Sequence, residues 1–114
     1  MAKNLSNGKM GEDLASEYLE KNNYAILFRN YRYKKSEIDI IAIKDNFLIF
    51  VEVKFRSNLK FGNPEDFVTF KKQELIMAAA EYYTFDKHWN GNIRFDIISI
   101  SKTNKEIAHF IDAF

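Results

Sequence analysis

The chain has 114 residues, of which 46% are hydrophobic and 16% aromatic. This is enough for one domain with a substantial core and too little for two, so we expect a single domain spanning residues 1–114. The absence of cysteine excludes disulfides and thiolate metal sites. The formal net charge of +1 indicates no general affinity for nucleic acid, so any phosphate-binding surface must be local.

No stretch of the sequence is apolar over enough residues to cross a bilayer, and the segment MAKNLSNGKMGEDL lacks the apolar core of a signal peptide. The sequence therefore predicts a cytoplasmic protein without a membrane partner. The four glycines form neither a phosphate-binding loop nor a dinucleotide fingerprint, so no nucleotide cofactor is expected.

The first predicted element is a helix in the segment GEDLASEYLEKNN, where the paired asparagines suit a helix end. Its apolar residues recur at helical spacing, at Leu14, Ala15, Tyr18 and Leu19. Aromatic and branched residues then predict a strand from Tyr24 to about Tyr33. The stretch EIDIIAIKDNFLIFVEVKFR, from Glu37 to Arg56, predicts two more strands joined by a tight turn.

A loop containing Gly62 and Pro64 precedes a second predicted helix, FKKQELIMAAAEYYTF, for which Thr69 is a suitable N-cap. The residues expected on the buried side of this helix are Leu75, Ala79, Tyr82 and Tyr83. Two further strands, IRFDIISI and IAHFIDAF, complete the pattern. Two helices and five strands in this order predict an α/β fold.

The turn at Asp45 and Asn46 fixes the register of the predicted hairpin, because both residues suit a two-residue turn that sets Lys44 opposite Phe47. Side chains alternate along a strand, so one face carries Ile41, Ile43, Leu48 and Phe50. The reverse face carries Ile38, Ile40, Ala42, Phe47, Ile49, Val51 and Val53. Since both faces are apolar, we expect helices on both sides of the sheet.

The same register places a cluster of charged residues on one face, with Asp39 opposite Glu52 and Glu37 opposite Lys54. Such groups at the margin of a covered sheet are costly to desolvate unless they pair or bind a metal. On the first helix, Glu12 borders the face that packs on the sheet, which brings a third carboxylate toward the cluster.

Carboxylates that converge near a lysine form a hard-oxygen site suited to Mg²⁺ or Mn²⁺. The candidate ligands are Asp39 and Glu52, and the Lys54 ammonium would orient an attacking water or neutralise charge on a phosphate. An acid on one strand followed by acid-any-lysine on the next is the PD-(D/E)XK arrangement of nucleases. The pattern equally fits a solvated polar face or a cross-strand salt bridge.

Five segments together resemble the YraN-like family of uncharacterised bacterial proteins: GKMGEDLASEYL, EIDIIAI, FVEVKFRS, RFDIISI and HFIDAF. The resemblance covers essentially the whole chain and implies a three-layer restriction-endonuclease-like α/β fold, with a central mixed β-sheet flanked by helices. It also implies a similarity to Holliday-junction resolvases. Under this resemblance Glu12 is the helix acid, Asp39 and Glu52 are metal ligands, the Val53 carbonyl is a further ligand and Lys54 is the catalytic lysine.

Positive side chains near the charged cluster in sequence are candidates for contacts with DNA phosphates. They are Arg29, Arg32, Arg56, Lys71 and Lys72. Each is alternatively a solvated side chain without a partner. Tyr31 and Tyr33, interleaved with these residues, either stack on unpaired bases or pack within the sheet.

These observations favour a metal-dependent DNA endonuclease, acting on branched or damaged DNA if the resolvase similarity extends to activity. The alternative is a noncatalytic nucleic-acid- or protein-binding module that retains the nuclease fold and uses the charged cluster as a structural ion network. A third hypothesis is a homodimer in which the partner completes the site or the DNA channel, because one small domain offers little surface for a duplex.

Overall fold

The computed structural model describes residues 7–57 and 68–114. Its helices are α1 (Asn7–Lys21) and α2 (Phe70–Asp86), and its strands are β1 (Ala25–Tyr33), β2 (Ser36–Lys44), β3 (Phe47–Arg56), β4 (Asn92–Ser101) and β5 (Ile107–Phe110). The loop predicted around Gly62 and Pro64 lies outside the described residues. Neither α1 nor α2 is long and apolar enough to cross a membrane.

The strands form one mixed sheet in the order β1-β2-β3-β4-β5. Neighbouring strands are antiparallel except for β3 and β4, which are parallel. Parallel strands need a long crossover connection, and α2 lies within the connection from β3 to β4.

The two helices cover opposite faces of this sheet. On one face, Ala15 and Leu19 of α1 pack in a buried core with Ile40, Ala42, Ile49, Val51, Ile98 and Ile100. On the other, Ile76, Ala79, Ala80 and Tyr83 of α2 pack with Ile38, Ile41, Leu48, Phe50, Phe95 and Ile97. The predicted three-layer α/β arrangement with a central mixed sheet is therefore confirmed.

The prediction for Ile38 is wrong, because this side chain packs on the α2 face and not with Ile40 on the α1 face. The reversal coincides with Asn30 of β1, which lies between the partners of Ile40 and Ile38 and has a left-handed φ of 57°. Arg29, before Asn30, bonds to α1, whereas Tyr31, after it, contacts a tyrosine of α2. The alternation of side chains between the two faces of the sheet is therefore interrupted in β1 and β2 at this position.

The buried stripe of α2 also differs from the prediction at two residues. Ala79 and Tyr83 are buried as expected, and the stripe is completed by Ile76 and Ala80. Leu75 is half-buried and Tyr82 is 43% exposed. The buried residues follow the spacing i, i+3, i+4, i+7 from Ile76, so Leu75 and Tyr82 lie at the edge of the buried stripe.

The predicted C-terminal strand is too long, since β5 ends at Phe110. The chain turns away because the fully buried Asp96 accepts a hydrogen bond of 3.0 Å from the backbone amide of Asp112, whose φ is 58°. Burial alone would raise the pKa of Asp96, but hydrogen bonds from His109, Arg94 and the Asp112 amide lower it. The carboxylate therefore stays ionised and anchors the C-terminal segment.

Thr69 caps α2 as predicted, because its Oγ1 accepts a 3.2 Å hydrogen bond from the Lys72 amide. We expect Thr69→Ala to lower the free energy of unfolding by about 1 kcal/mol, since one amide of the first turn loses its acceptor. Urea unfolding monitored by circular dichroism measures this loss. Thr69→Ser retains the hydroxyl and is the control. An alanine variant as stable as the serine variant would show that the cap contributes nothing.

Candidate metal centre

The hairpin of β2 and β3 opens into a gap at its end distant from the turn. The two strands pair from Lys44↔Phe47 to Ile40↔Val51, which confirms the predicted register. Beyond that point in the described residues, β2 pairs with β1, and β3 pairs with β4. We call the gap between residues 37–39 and 52–54 the fork. The direct strand pairs predicted for Asp39 with Glu52, and for Glu37 with Lys54, are therefore wrong.

Asp39 reaches across the fork, where its Oδ2 accepts a 2.8 Å hydrogen bond from the backbone amide of Val53. The side chain thus replaces a strand–strand hydrogen bond. Burial, followed by the negative charge of Glu52, raises the pKa of Asp39 to about 7, although the Val53 hydrogen bond acts in the opposite direction. Glu12 adds to the rise and Lys72 opposes it. The fork therefore concentrates negative charge in a poorly solvated place.

Glu52 is buried on the α2 side of the fork, with only 5% of its side chain exposed. Its Oε2 lies 2.7 Å from Nζ of Lys72 and 3.4 Å from Nζ of Lys54. Burial lowers the pKa of Lys54. Burial also acts to lower the pKa of Lys72, but the hydrogen bond to Glu52 and the negative charges of Glu52 and Asp39 together raise it. Two ammonium groups thus compensate the buried Glu52 carboxylate.

Helix α1 approaches the fork from the other side. A Cβ on Gly11 would lie 3.3 Å from Cβ of Phe55 and 3.6 Å from Cγ1 of Val53, so the helix backbone is close to β3. The next residue, Glu12, has Oε1 3.6 Å from Nη2 of Arg29. Glu12 is thus held by Arg29 near the fork, where its charge contributes to the raised pKa of Asp39.

The side chains at the fork include oxygen ligands for a divalent cation, but few of them converge. In residues 7–57 and 68–114, no three Asp, Glu, His or Cys side chains converge closely enough to hold a metal ion. Glu12 is therefore not a third carboxylate ligand in this arrangement. Asp39 and Glu52 remain as two interacting carboxylates on neighbouring strands, and Mg²⁺ commonly uses one or two carboxylates with water and phosphate oxygens. The donor chemistry thus fits a hard divalent cation.

Comparison with known proteins identifies the family of the chain. The model of the Uncharacterised protein family UPF0102 matches residues 11–100, which include the whole fork. The chain belongs to this family. The expected membership of an uncharacterised bacterial family is thereby confirmed.

Several UPF0102 proteins are similar over nearly their full length. Those of Flavobacterium johnsoniae and Flavobacterium psychrophilum are 49% and 48% identical to the whole chain, which covers 98% of each relative. The UPF0102 protein of Clostridioides difficile is 46% identical over 97% of the chain and 98% of its own length. The family resemblance therefore spans both helices and the fork.

In this UPF0102 chain the three arginines predicted to bind DNA lie at different places around the fork. Arg29 bonds to Asp13 at 2.7 Å and so pairs with carboxylates of α1. Arg32 is exposed, and its Nη2 lies 3.8 Å from Oε1 of Glu37. The sequence predicted Lys54 opposite this carboxylate. Arg56 is half-buried at the end of β3.

Lys71 and Lys72 are the DNA-binding candidates on the α2 side of the fork. Lys71 is exposed in the first turn of α2, and Lys72 contacts Glu52 directly, a contact that sequence reasoning missed. One signal was available, because lysines in a first turn oppose the helix dipole and indicate that another interaction holds them there. Lys72 thus joins the residues of the candidate site.

The raised pKa of Asp39 in this UPF0102 chain predicts a pH-dependent stability. Asp39 binds its proton more tightly in the folded state than in the unfolded state, where its pKa is near 3.8. The free energy of unfolding should therefore decrease as the pH rises from about 4 to about 7. The full shift corresponds to about 4 kcal/mol, which solvent screening of a half-buried group reduces to about 2 kcal/mol. Asp39→Asn should lack this loss.

Urea unfolding of both proteins at pH 5 and pH 8 measures the effect. The wild type should lose about 1 kcal/mol more than Asp39→Asn over this interval, because part of the loss already occurs below pH 5. Parallel pH profiles for the two proteins would show that Asp39 titrates as an ordinary carboxyl group.

Proposed function

We propose that this UPF0102 chain is a divalent-metal-dependent DNA endonuclease with a restriction-endonuclease-like fold, which hydrolyses phosphodiester bonds at the fork. One observation carries the proposal: two carboxylates, Asp39 and Glu52, and two ammonium groups, Lys54 and Lys72, meet in one largely buried gap between strands. Carboxylates for a cation and ammonium groups for a phosphate are the groups that this hydrolysis needs.

Asp39 and Glu52 would hold the Mg²⁺ or Mn²⁺ ion, with the Val53 carbonyl as a further candidate ligand. When bound, the cation supplies Lewis-acid stabilisation of the phosphate and lowers the pKa of water. Asp39 is already fixed by the Val53 amide, so its orientation costs little when the ion binds. Burial and the negative charge of Glu52 raise the pKa of Asp39, and a positive ion offsets both effects, so cation binding should release a proton near neutral pH.

The two lysines have different positions and therefore different expected roles. Lys54 is half-buried and has a lowered pKa, so its ammonium lies in a poorly solvated place where it stabilises developing phosphate charge strongly. Lys72 has a side chain that is 44% exposed and lies at the surface of the fork. It neutralises Glu52 in the free protein and is placed to contact a phosphate next to the cleaved one.

The ion pairing of Glu52 supports a second candidate function. Because both ammonium groups lie on Oε2 of Glu52, the cluster is also electrostatically balanced as a structural ion network. In that case the chain is a noncatalytic nucleic-acid- or protein-binding module, and divalent ions change neither its melting temperature nor its affinity for DNA.

A cleavage screen separates the two candidates. Single-stranded, duplex, flap and four-way DNA are incubated with the protein in Mg²⁺, in Mn²⁺ and in EDTA. The endonuclease proposal expects cleavage of at least one substrate with a divalent ion and none in EDTA, and preference for the flap or four-way substrate assigns branched DNA. Intact substrates in all conditions, with folded protein, would favour the noncatalytic module.

The homodimer hypothesis has its own test in sedimentation at two protein concentrations, with and without DNA. A concentration-dependent rise in mass is expected if a partner completes the DNA channel. A strict monomer under all conditions would exclude this arrangement.

A further inference from the structure

A groove leads away from the fork between α2 and the turn that joins β1 to β2. It consists of three neighbouring clefts of about 180, 260 and 290 Å³. The first two clefts share Ser36 and Leu75, and the last two share Tyr33 and Ala78, so they form one continuous depression. We call it the α2 groove. It starts at the fork, because Lys72 both lines the first cleft and contacts Glu52.

The end of the α2 groove next to the fork is positively charged. Lys35, Lys71 and Lys72 line the first cleft, and Lys34 joins Lys35 in the second. The carboxylate of Glu37 also lines the first cleft, but it lies 3.8 Å from Nη2 of Arg32. The net charge of this end therefore favours phosphate groups.

The opposite end of the α2 groove is aromatic. The rings of Tyr33 and Tyr82 stack at a centroid distance of 4.8 Å with an interplanar angle of 20°. Phe85, one helical turn beyond Tyr82, is 76% exposed in the same cleft. Glu81 also lines this cleft, which disfavours phosphates there but not the faces of neutral bases. Exposed aromatic rings beside a cationic path are the features of a surface that binds single-stranded nucleic acid.

We propose that the α2 groove binds a single-stranded segment of DNA, with its backbone on Lys35 and Lys71 and its unpaired bases on Tyr82 and Phe85. The inference rests on the proposed function and deepens it, because it identifies the substrate as DNA that has an unpaired segment next to the fork. From Lys72 to Phe85 the helix rises about 20 Å, which is the length of about six stacked nucleotides at about 3.4 Å each. Stacking on tyrosine and phenylalanine requires no particular base, so binding is independent of sequence.

Fluorescence anisotropy with a short labelled oligothymidylate tests the proposal in EDTA, where cleavage does not interfere. We expect Phe85→Ala and Tyr82→Ala each to weaken binding about tenfold, the scale of one lost stacking contact. Tyr82→Phe keeps the ring and should bind like the wild type. Phe70→Ala is the matched control, because Phe70 lies on the same helix, is 74% exposed and lines none of the three clefts.

The cationic end has a separate readout in the salt dependence of binding. Replacing Lys35 and Lys71 with glutamine should reduce the slope of log K against log salt by about 0.7 for each lysine. These residues and the two aromatic residues are exposed, so circular dichroism should show that all variants remain folded.

Each outcome bears on the inference independently of catalysis. Tenfold weakening by the two aromatic variants, with unchanged binding by Phe70→Ala, supports the groove even if no DNA is cleaved. Equal binding by wild type and Phe85→Ala, or equal losses in Phe85→Ala and Phe70→Ala, overturns it even if cleavage occurs. Loss of self-association in Phe85→Ala without any loss of DNA binding also overturns it, and assigns the aromatic end to contact with a second copy of the chain.

Discussion

Asp39→Asn is expected to reduce metal-dependent DNA cleavage by at least about 10³-fold while the protein stays folded, because a bound cation contributes several kcal/mol to the stabilisation of the transition state. Asparagine has the same shape, and its amide oxygen still accepts the hydrogen bond from the Val53 amide. The variant therefore removes the negative charge of residue 39 and keeps the shape of its side chain. Cation affinity and the single-turnover cleavage rate should therefore fall together.

Two comparisons make this expectation specific. Asp86→Asn is the same chemical change at an exposed position near the end of α2, and it should leave both cation affinity and cleavage unchanged. Asp39→Asn should also be more stable than the wild type at pH 8, because the cost of an ionised Asp39 is absent. If Asp39→Asn cleaved DNA as fast as the wild type, Asp39 would not be a metal ligand.

Lys54→Met is expected to slow the chemical step by about 10² or more, which is the scale of one lost electrostatic contact in a transition state. Methionine keeps much of the apolar stem and removes the ammonium group. Cation affinity should persist or rise, because a positive charge next to the ligands opposes cation binding. Single-turnover cleavage and Mn²⁺ titration on the same protein measure the two effects separately.

The structure also determines what Lys54→Met should do to stability. Its carboxylate neighbour Glu52 keeps the closer contact with Lys72, at 2.7 Å, so Glu52 remains paired when Lys54 is replaced. We therefore expect a loss of stability of less than about 1 kcal/mol. Lys54→Arg restores a positive charge and should recover part of the rate. A Lys54→Met protein that is clearly less stable but equally fast per folded molecule would assign Lys54 to a structural ion pair.

Local patterns in the sequence predicted the hairpin and its register correctly. The turn at Asp45 and Asn46 and the alternation that follows it specify each pair up to Ile40↔Val51. Thr69 likewise specified the start of α2, because capping depends on neighbouring residues in the chain. These features are set within a few residues, and sequence patterns describe them well.

The fork could not be predicted, because the place where β2 and β3 stop pairing depends on how the whole sheet is assembled, including β4, which is distant in sequence. Beyond Ile40↔Val51, β2 remains paired with β1 and β3 remains paired with β4 on their outer edges, while the pairing between β2 and β3 ends. The change of face at Ile38 likewise coincides with the left-handed φ of Asn30 in the neighbouring strand. Neither effect leaves a signal in the periodicity of β2 or β3.

The contact between Lys72 and Glu52 and the end of β5 were missed for a related reason. The contact of Lys72 with Glu52 depends on how α2 lies over the sheet, which the sequence of the helix does not specify. The end of β5 depends on Asp96, which captures the amide of Asp112 from a neighbouring strand. Both are tertiary contacts of polar groups, and hydrophobic patterning carries no information about them.

Paramagnetic broadening of side-chain carboxyl resonances by Mn²⁺ tests the proposed metal centre most directly. We expect substoichiometric Mn²⁺ to broaden the carboxyl signals of Asp39 and Glu52 first, while those of exposed carboxylates such as Asp86 stay sharp. Excess Mg²⁺ should reverse the broadening by occupying the same site. Uniform weak broadening of all carboxyl signals, or unchanged Asp39 and Glu52 signals, would contradict a cation site at the fork and with it the endonuclease proposal.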